Sequence, residues 1–175
     1  MIITNINEVI DLILNQEPIA LFQKDSEWGP RALGHRSILF DPRNKNAQHI
    51  VNSIKKREWW RPFAGTILLD HVNDWFEMHT LKESPYMSFA IDAKDVAKEK
   101  ISSIIHDGTC RIQTVTREQN KVFYDLIKLF YDRTGVPILL NTSLNLAGEP
   151  LAETLDDAKS IVERSELNYI YYVED

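Results

Sequence analysis

Short apolar segments of strand length alternate with amphipathic helical segments along almost the whole chain, and this alternation restricts the folds open to it. No long linker, internal repeat or low-complexity tract interrupts it. The pattern predicts an α/β fold built on a mixed sheet. The predicted strands are 19–22, 37–40, 63–69, 86–91, 110–115, 137–140 and 169–173, and helical spacing of apolar residues predicts helices within 5–14, 47–54, 72–76 and 123–130.

Several residues predict where the helices begin and end. Asn5 or Asn7 can cap the first helix, which Pro18 prevents from continuing. Gly135 should end the helix that contains residues 123–130. Thr154, with an acidic residue three positions later, resembles a capping box and predicts a last helix before the final strand.

Composition is that of an ordinary globular protein. Hydrophobic residues make up 43% of the 175 residues, which excludes a disordered or fibrous chain and predicts one domain over residues 1–175. Cys110 is the single cysteine, so no internal disulfide can form. A reducing cytoplasm is therefore predicted. The first residues lack a basic targeting segment, and no apolar run reaches the roughly 18 residues of a membrane span.

The net charge of −6 is unevenly distributed. Residues 24–61 carry nine basic and four acidic side chains, a net charge of +5, whereas the rest of the chain carries 11 bases and 22 acids. Such segregation indicates a local anion site on an acidic body. The alternative is a solvated basic surface paired with acids elsewhere. The overall acidity argues against a surface built to bind nucleic acid or an anionic membrane.

Three polar segments are candidates for that anion site. Arg31 and Arg36 lie in a glycine-containing loop, where the backbone can approach a ligand and guanidinium groups suit phosphate or carboxylate. Lys55, Lys56, Arg57 and Arg61 follow a predicted helix, where cations also complement the helix dipole. Residues 141–145 follow a buried strand and are predicted to form a loop that suits phosphate or ribose contacts, although ordinary Asx turns have the same composition.

These segments resemble a known family. The sequences EWGPRALGHRSIL (27–39), KKREWWRPFA (55–64), DGTCRIQTV (107–115) and NTSLN (141–145) followed by GEP (148–150) closely resemble the carbamoyltransferase C-terminal domain of NodU/CmcH-type enzymes. The resemblance extends from about Val9 to the last strand. That domain is similar to YrdC-type proteins, which implies a twisted mixed sheet with flanking helices and a concave nucleotide site.

The resemblance also implies an activity. In this family the domain uses carbamoyl phosphate and ATP to make carbamoyl-adenylate, and a separate actin-like N-terminal domain transfers the carbamoyl group to a hydroxyl. This sequence lacks that domain, so we expect either an isolated activating domain or one subunit of a split transferase. The final acceptor stays open.

Site residues follow from the same resemblance. The YrdC signature Lys-x-Arg and Ser-x-Asn matches Lys55, Arg57, Ser143 and Asn145, which are the expected catalytic residues. Mg²⁺ is expected to accompany ATP near Ser143 and Asn145. Further expected ligands of substrate or nucleotide are Arg31, His35, Arg36, Arg61, Arg111, Asn141 and Thr142.

Transition-metal binding and a non-catalytic function are the other interpretations of this sequence. The five histidines show no close pair at metal-ligand spacing, so we expect no transition-metal site. His106 receives no role, because it directly precedes Asp107 whereas the family usually has one residue between them. The alternative function is a non-catalytic nucleotide- or RNA-binding module on the same scaffold, although the acidic remainder of the chain argues against extended RNA contact.

Overall fold

A computed structural model describes residues 1–174, and within them eight strands form one mixed sheet. The order across the sheet is β1-β8-β2-β3-β7-β4-β6-β5. Neighbouring strands are parallel in the pairs β1/β8, β8/β2 and β4/β6, and antiparallel in the other four. The strands are β1 (Ile2–Ile3), β2 (Ile19–Gln23), β3 (Arg36–Phe40), β4 (Ala64–Leu68), β5 (Ala90–Asp92), β6 (Thr109–Val115), β7 (Ile138–Ser143) and β8 (Tyr169–Val173).

The helices carry the caps that the sequence predicts. Asn5 caps α1, Thr154 and Asp157 form a complete capping box on α6, and Gly135 ends α5 in the left-handed conformation. The helices are α1 (Ile6–Leu14), α2 (Ala47–Ile54), α3 (Val72–Trp75), α4 (Asp95–Lys100), α5 (Lys121–Thr134) and α6 (Leu155–Arg164). No helix in the described part of the chain is both long and apolar enough to cross a bilayer.

The core lies between the sheet and these helices. Phe123, Leu126, Ile127 and Phe130 of α5 are fully buried. They form the continuous apolar stripe that helical spacing predicts, and α5 packs on β4, β7 and α1. Burial of each such side chain contributes about 1.5–3 kcal/mol to folding.

Strand register brings five chain segments to one edge of the sheet, which we call the site edge. Ser37 of β3 pairs with Ser143 of β7, and Ala64 of β4 pairs with both Asn141 and Arg111. The site edge therefore gathers the starts of β3, β4 and β6 and the ends of β2 and β7. The loops that the sequence marked as candidates leave the sheet here.

Several sequence-based boundaries were wrong. Of the predicted strand 86–91, only the last two residues belong to β5; Tyr86 and Phe89 are exposed, because this segment is a loop and pairing with β6 begins only at Ala90. Phe76 is buried but extended, and α3 ends before it. Residues 141–143 were predicted to be loop, yet they complete β7, because β3 and β4 pair with them on either side. β1 and α4 carry no signal that predicted them from the sequence.

Candidate functional site

A cavity of about 320 Å³ lies at the site edge, and we call it the central cavity. Its walls come from β4, β5, β6, β7 and the segments that precede β3, β4, β5 and β6. Arg31, Arg57 and Arg111 line it, and none of its described lining residues is Asp or Glu. Three guanidinium groups without a lining carboxylate give this cavity a cationic lining of the kind that suits an anion.

A second depression of about 450 Å³ adjoins it, and we call it the outer groove. Arg57 and Ser143 line both spaces, which therefore adjoin at these two residues. Lys55, Lys56, Arg61 and Asn145 also line the outer groove, where Glu58 is the single acid among the described lining residues. The combined site can hold an extended polyanion.

Lys55 joins the two motifs across the outer groove. Its ammonium group donates to the backbone oxygen and hydroxyl of Ser143, the latter at 3.2 Å, and to Asn145 O and Oδ1, each at 2.9 Å. All four acceptors are neutral. Burial, together with the charge of Arg57, lowers the pKa of Lys55 to about 7.

Local backbone geometry places Lys55 there. It is the C-terminal cap of α2, and the next residue, Lys56, has a positive φ of 52°, which turns the chain away from the helix axis. The Lys55 carbonyl accepts a hydrogen bond from Ala147 N at 2.8 Å. The Lys-x-Arg turn and the loop after β7 are thus fastened to each other by both backbone and side chain.

Arg57 has one buried hydrogen-bond donor without an acceptor. Its Nε donates to Asn52 Oδ1, and its guanidinium lies 4.4 Å from the centre of the Phe63 ring. One terminal nitrogen is buried without a partner. Burial and the neighbouring Arg61 lower the pKa of Arg57 to about 10, against an opposing effect of Glu58, so the guanidinium stays charged at pH 7. A buried, charged, unpaired donor at the junction of both spaces is what an anion would satisfy.

A buried polar network supports the floor of the central cavity. Thr66 of β4 donates to Gln113 of β6 at 2.8 Å, and Asn141 of β7 donates to Thr66 at 3.0 Å and to Gln113 at 3.2 Å. The amide groups of Asn141 and Gln113 also donate to the carbonyls of Ala32 and Leu33. Three adjacent strands therefore hold the loop that carries Arg31.

Most of the expected site residues come together, and two do not. The central cavity and the outer groove are lined by Arg31, Lys55, Arg57, Arg61, Arg111, Asn141, Thr142, Ser143 and Asn145. Arg36 lines neither space: its buried guanidinium donates to five backbone carbonyls and lies 3.6 Å from the Phe22 ring. His35 lines a separate cavity. Ligand contact by any of these residues remains a prediction.

The structure also adds residues that sequence reasoning did not select. His106 lines the central cavity, although its spacing from Asp107 gave it no role. Met87 also lines this cavity, and it belongs to the segment 86–91 that was predicted to be a strand. Among residues 1–174, no group of three His, Cys, Asp or Glu side chains is placed to hold a metal ion.

Comparison with solved structures identifies the class of fold. Full-length HypF, solved in a phosphate- and nucleotide-bound form, superposes with a TM-score of 0.70 at 15% identity over 99% of this chain and 25% of HypF. Sua5 from P. abyssi, solved as the H234A/Y235A variant, gives a TM-score of 0.66 at 12% identity over 98% of this chain and 49% of Sua5. These similarities confirm the YrdC-like fold.

Sequence comparison then gives the family. The chain belongs to the carbamoyltransferase C-terminus family, whose model matches residues 10–174. It is 44% identical over 143 residues to nodulation protein NolNO of Sinorhizobium fredii, covering 80% of this chain and 21% of that protein. Nodulation protein NolO of Bradyrhizobium diazoefficiens is 41% identical over 151 residues, covering 85% and 28%. The chain thus spans less than a third of the length of either relative.

Proposed function

We propose that this domain uses ATP to activate carbamoyl phosphate to carbamoyl-adenylate, as the activating part of an O-carbamoyltransferase. The observation that carries the proposal is the central cavity, which is lined by three arginines and adjoins the outer groove of Lys55, Ser143 and Asn145 at Arg57, whose terminal nitrogen Nη2 is buried without a partner. Family membership and the phosphate- and nucleotide-bound state of HypF support the same chemistry.

The proposed reaction has two steps. Water cleaves carbamoyl phosphate to carbamate and inorganic phosphate. A carbamate oxygen then attacks the α-phosphorus of ATP, the bond to the β-phosphate oxygen breaks, and pyrophosphate leaves. Both steps gather negative charge in one place, so fixed cations are the main catalytic requirement.

The proposed role of each residue follows from its position in the two spaces. Arg57 lies between the two spaces and would stabilise charge on the α-phosphate, while Arg31 and Arg111 would hold the carbamate side. Lys55 would add its positive charge and keep Ser143 and Asn145 in place. The side-chain oxygens of Ser143, Asn145 and Asn141 are neutral, and the Glu58 carboxylate is paired with Arg61, so Mg²⁺ would be held mainly by the phosphates of ATP.

The test is pyrophosphate exchange. With ATP and Mg²⁺, we expect the chain to move label from pyrophosphate into ATP only when carbamoyl phosphate is present. Omission of carbamoyl phosphate is the matched control. No exchange, combined with salt-dependent binding of duplex RNA, would instead support the alternative of a binding module.

Complete transfer is proposed to need more protein. The chain matches less than a third of NolNO and NolO, so a further domain or a separate subunit would transfer the carbamoyl group to an acceptor hydroxyl. We propose a cytoplasmic location, because the single cysteine of the chain, Cys110, forms no disulfide.

The pKa of Lys55 predicts how anion binding depends on pH. In the free protein the ammonium is charged below about pH 7 and neutral above it. A bound anion favours the charged form, so affinity should fall as pH rises through 7, by about tenfold from pH 6 to pH 8. Calorimetric titration with pyrophosphate in buffers of different ionisation enthalpy should also show proton uptake at pH 8.

The matched control for this prediction is Lys55→Met. Pyrophosphate itself changes protonation in this range, and that contribution is common to both proteins. The difference between wild type and variant therefore isolates Lys55. Parallel pH profiles for the two proteins would contradict the prediction.

A further inference from the structure

The loop before β3 is held almost entirely by side chains from elsewhere in the fold. Its carbonyls at Ala32, Leu33 and Gly34 accept hydrogen bonds from Asn141 at 3.1 Å, Gln113 at 3.0 Å and Gln23 at 2.5 Å. The backbone N–H of Gly34 donates to the Ser37 hydroxyl at 3.1 Å. This loop therefore has one conformation imposed on it by several strands.

Glu27 accepts hydrogen bonds from three backbone N–H groups in and after this loop. One carboxylate oxygen, Oε1, accepts from the backbone N–H groups of Leu33 at 2.7 Å, His35 at 2.7 Å and Arg36 at 3.0 Å. Backbone N–H groups that converge in this way form an anion-binding nest, and here the chain's own carboxylate fills it. Loss of one such charge-assisted bond leaves a backbone donor unsatisfied.

Arg31 depends on this loop for its position. It lines the central cavity, yet within residues 1–174 no hydrogen bond or ion pair holds its guanidinium. The backbone between Glu27 and Leu33 therefore sets the position of the Arg31 Cα, and with it the space that this exposed side chain can reach. Glu27 does not line either the central cavity or the outer groove.

We propose that Glu27 is a positioning residue, which keeps Arg31 in the central cavity by fixing three backbone N–H groups and does not touch the ligand. The proposal rests on the proposed function only in taking the central cavity as an anion site. It predicts weaker binding when the side chain can no longer reach these N–H groups, whereas simple electrostatics predicts that removal of a carboxylate near an anion site strengthens binding.

Two conservative variants separate geometry from charge. Glu27→Gln has the same length and an oxygen that can accept the three N–H groups, but no charge. Glu27→Asp keeps the charge but is one methylene too short to reach all three donors. With pyrophosphate as the probe in calorimetry, we expect Glu27→Gln to bind within about threefold of wild type and Glu27→Asp about tenfold more weakly, the equivalent of 1.4 kcal/mol.

A double-mutant cycle identifies the route of the effect. If Glu27 acts through Arg31, the Glu27→Asp change should weaken pyrophosphate binding less than twofold in an Arg31→Ala background. A tenfold loss in that background would show general damage to the fold and overturn the proposal. So would weaker binding by Glu27→Gln than by Glu27→Asp, because that order would mean that the charge of the carboxylate, and not its reach, holds the three N–H groups.

The outcome is independent of catalysis. Calorimetry reads anion binding, so the inference about Glu27 stands if pyrophosphate binds but exchange is absent, in which case only the proposed function fails. Wild-type protein that binds no pyrophosphate would overturn both. Thermal unfolding of each variant gives the folded fraction used in the fits.

Discussion

Arg57→Ala is expected to lower carbamoyl phosphate-dependent ATP–pyrophosphate exchange by about 10²–10³-fold, the loss typical of removing one preorganised charge from an active site. Arg57 is the residue whose buried terminal nitrogen has no partner and whose guanidinium borders both the central cavity and the outer groove. Water admitted by the truncation cannot replace a fixed positive charge at the α-phosphate. Lys55→Ala is expected to cause a loss of the same order. Initial exchange rates at saturating ATP measure both effects.

Two comparisons make the Arg57 result specific. Arg117→Ala removes an equally charged side chain that is paired with Asp125 on the surface, and exchange should stay within twofold of wild type. Arg57→Lys keeps the charge but not the planar fork, so its rate should lie between wild type and alanine. An Arg57→Ala enzyme as active as Arg117→Ala would remove Arg57 from the proposed chemistry.

Many residues of the candidate site could be predicted from the sequence, because they belong to short motifs. Lys55 and Arg57 stand two residues apart, as do Ser143 and Asn145, and both pairs face the outer groove. The fold class was accessible for a similar reason, since helix and strand periods are local signals. Gly135 marks the end of α5 through its own backbone freedom, with no help from tertiary contacts.

The rest depends on which strands are neighbours, and local sequence carries no signal for that. Thr66 and Gln113 are unremarkable polar residues on two separate strands, and their joint role emerges only when β4, β6 and β7 are adjacent. Glu27 lay within a recognised motif, but its partners are backbone N–H groups, which no residue pattern encodes. Tyr86 and Phe89 predicted a strand because apolar side chains usually signal burial, whereas both are exposed here.

Gly34→Ala is expected to destabilise the fold on the order of 4 kcal/mol, a large part of the stability of a domain of this size. Gly34 has a φ of +106°, which strains any residue with a side chain. An added Cβ would also lie 2.2 Å from Cδ1 of Phe123, a ring that is fully buried at the start of α5. Urea unfolding of wild type and variant gives the difference in free energy.

A second glycine in the same loop separates strain from steric overlap. Gly29 has a φ of +127°, but a Cβ there would meet no atom within 4 Å, so Gly29→Ala should cost only about 1–3 kcal/mol of strain. Phe123→Leu replaces the obstructing ring with a smaller side chain. It should recover part of the stability lost in Gly34→Ala, although it lowers stability on its own. Equal losses of unfolding free energy for the two glycine variants, with no recovery by Phe123→Leu, would show that overlap with the Phe123 ring does not cause the Gly34→Ala effect. Because that loop carries Arg31 into the central cavity, the same contact between α5 and Gly34 links the packing of the core to the geometry of the anion site.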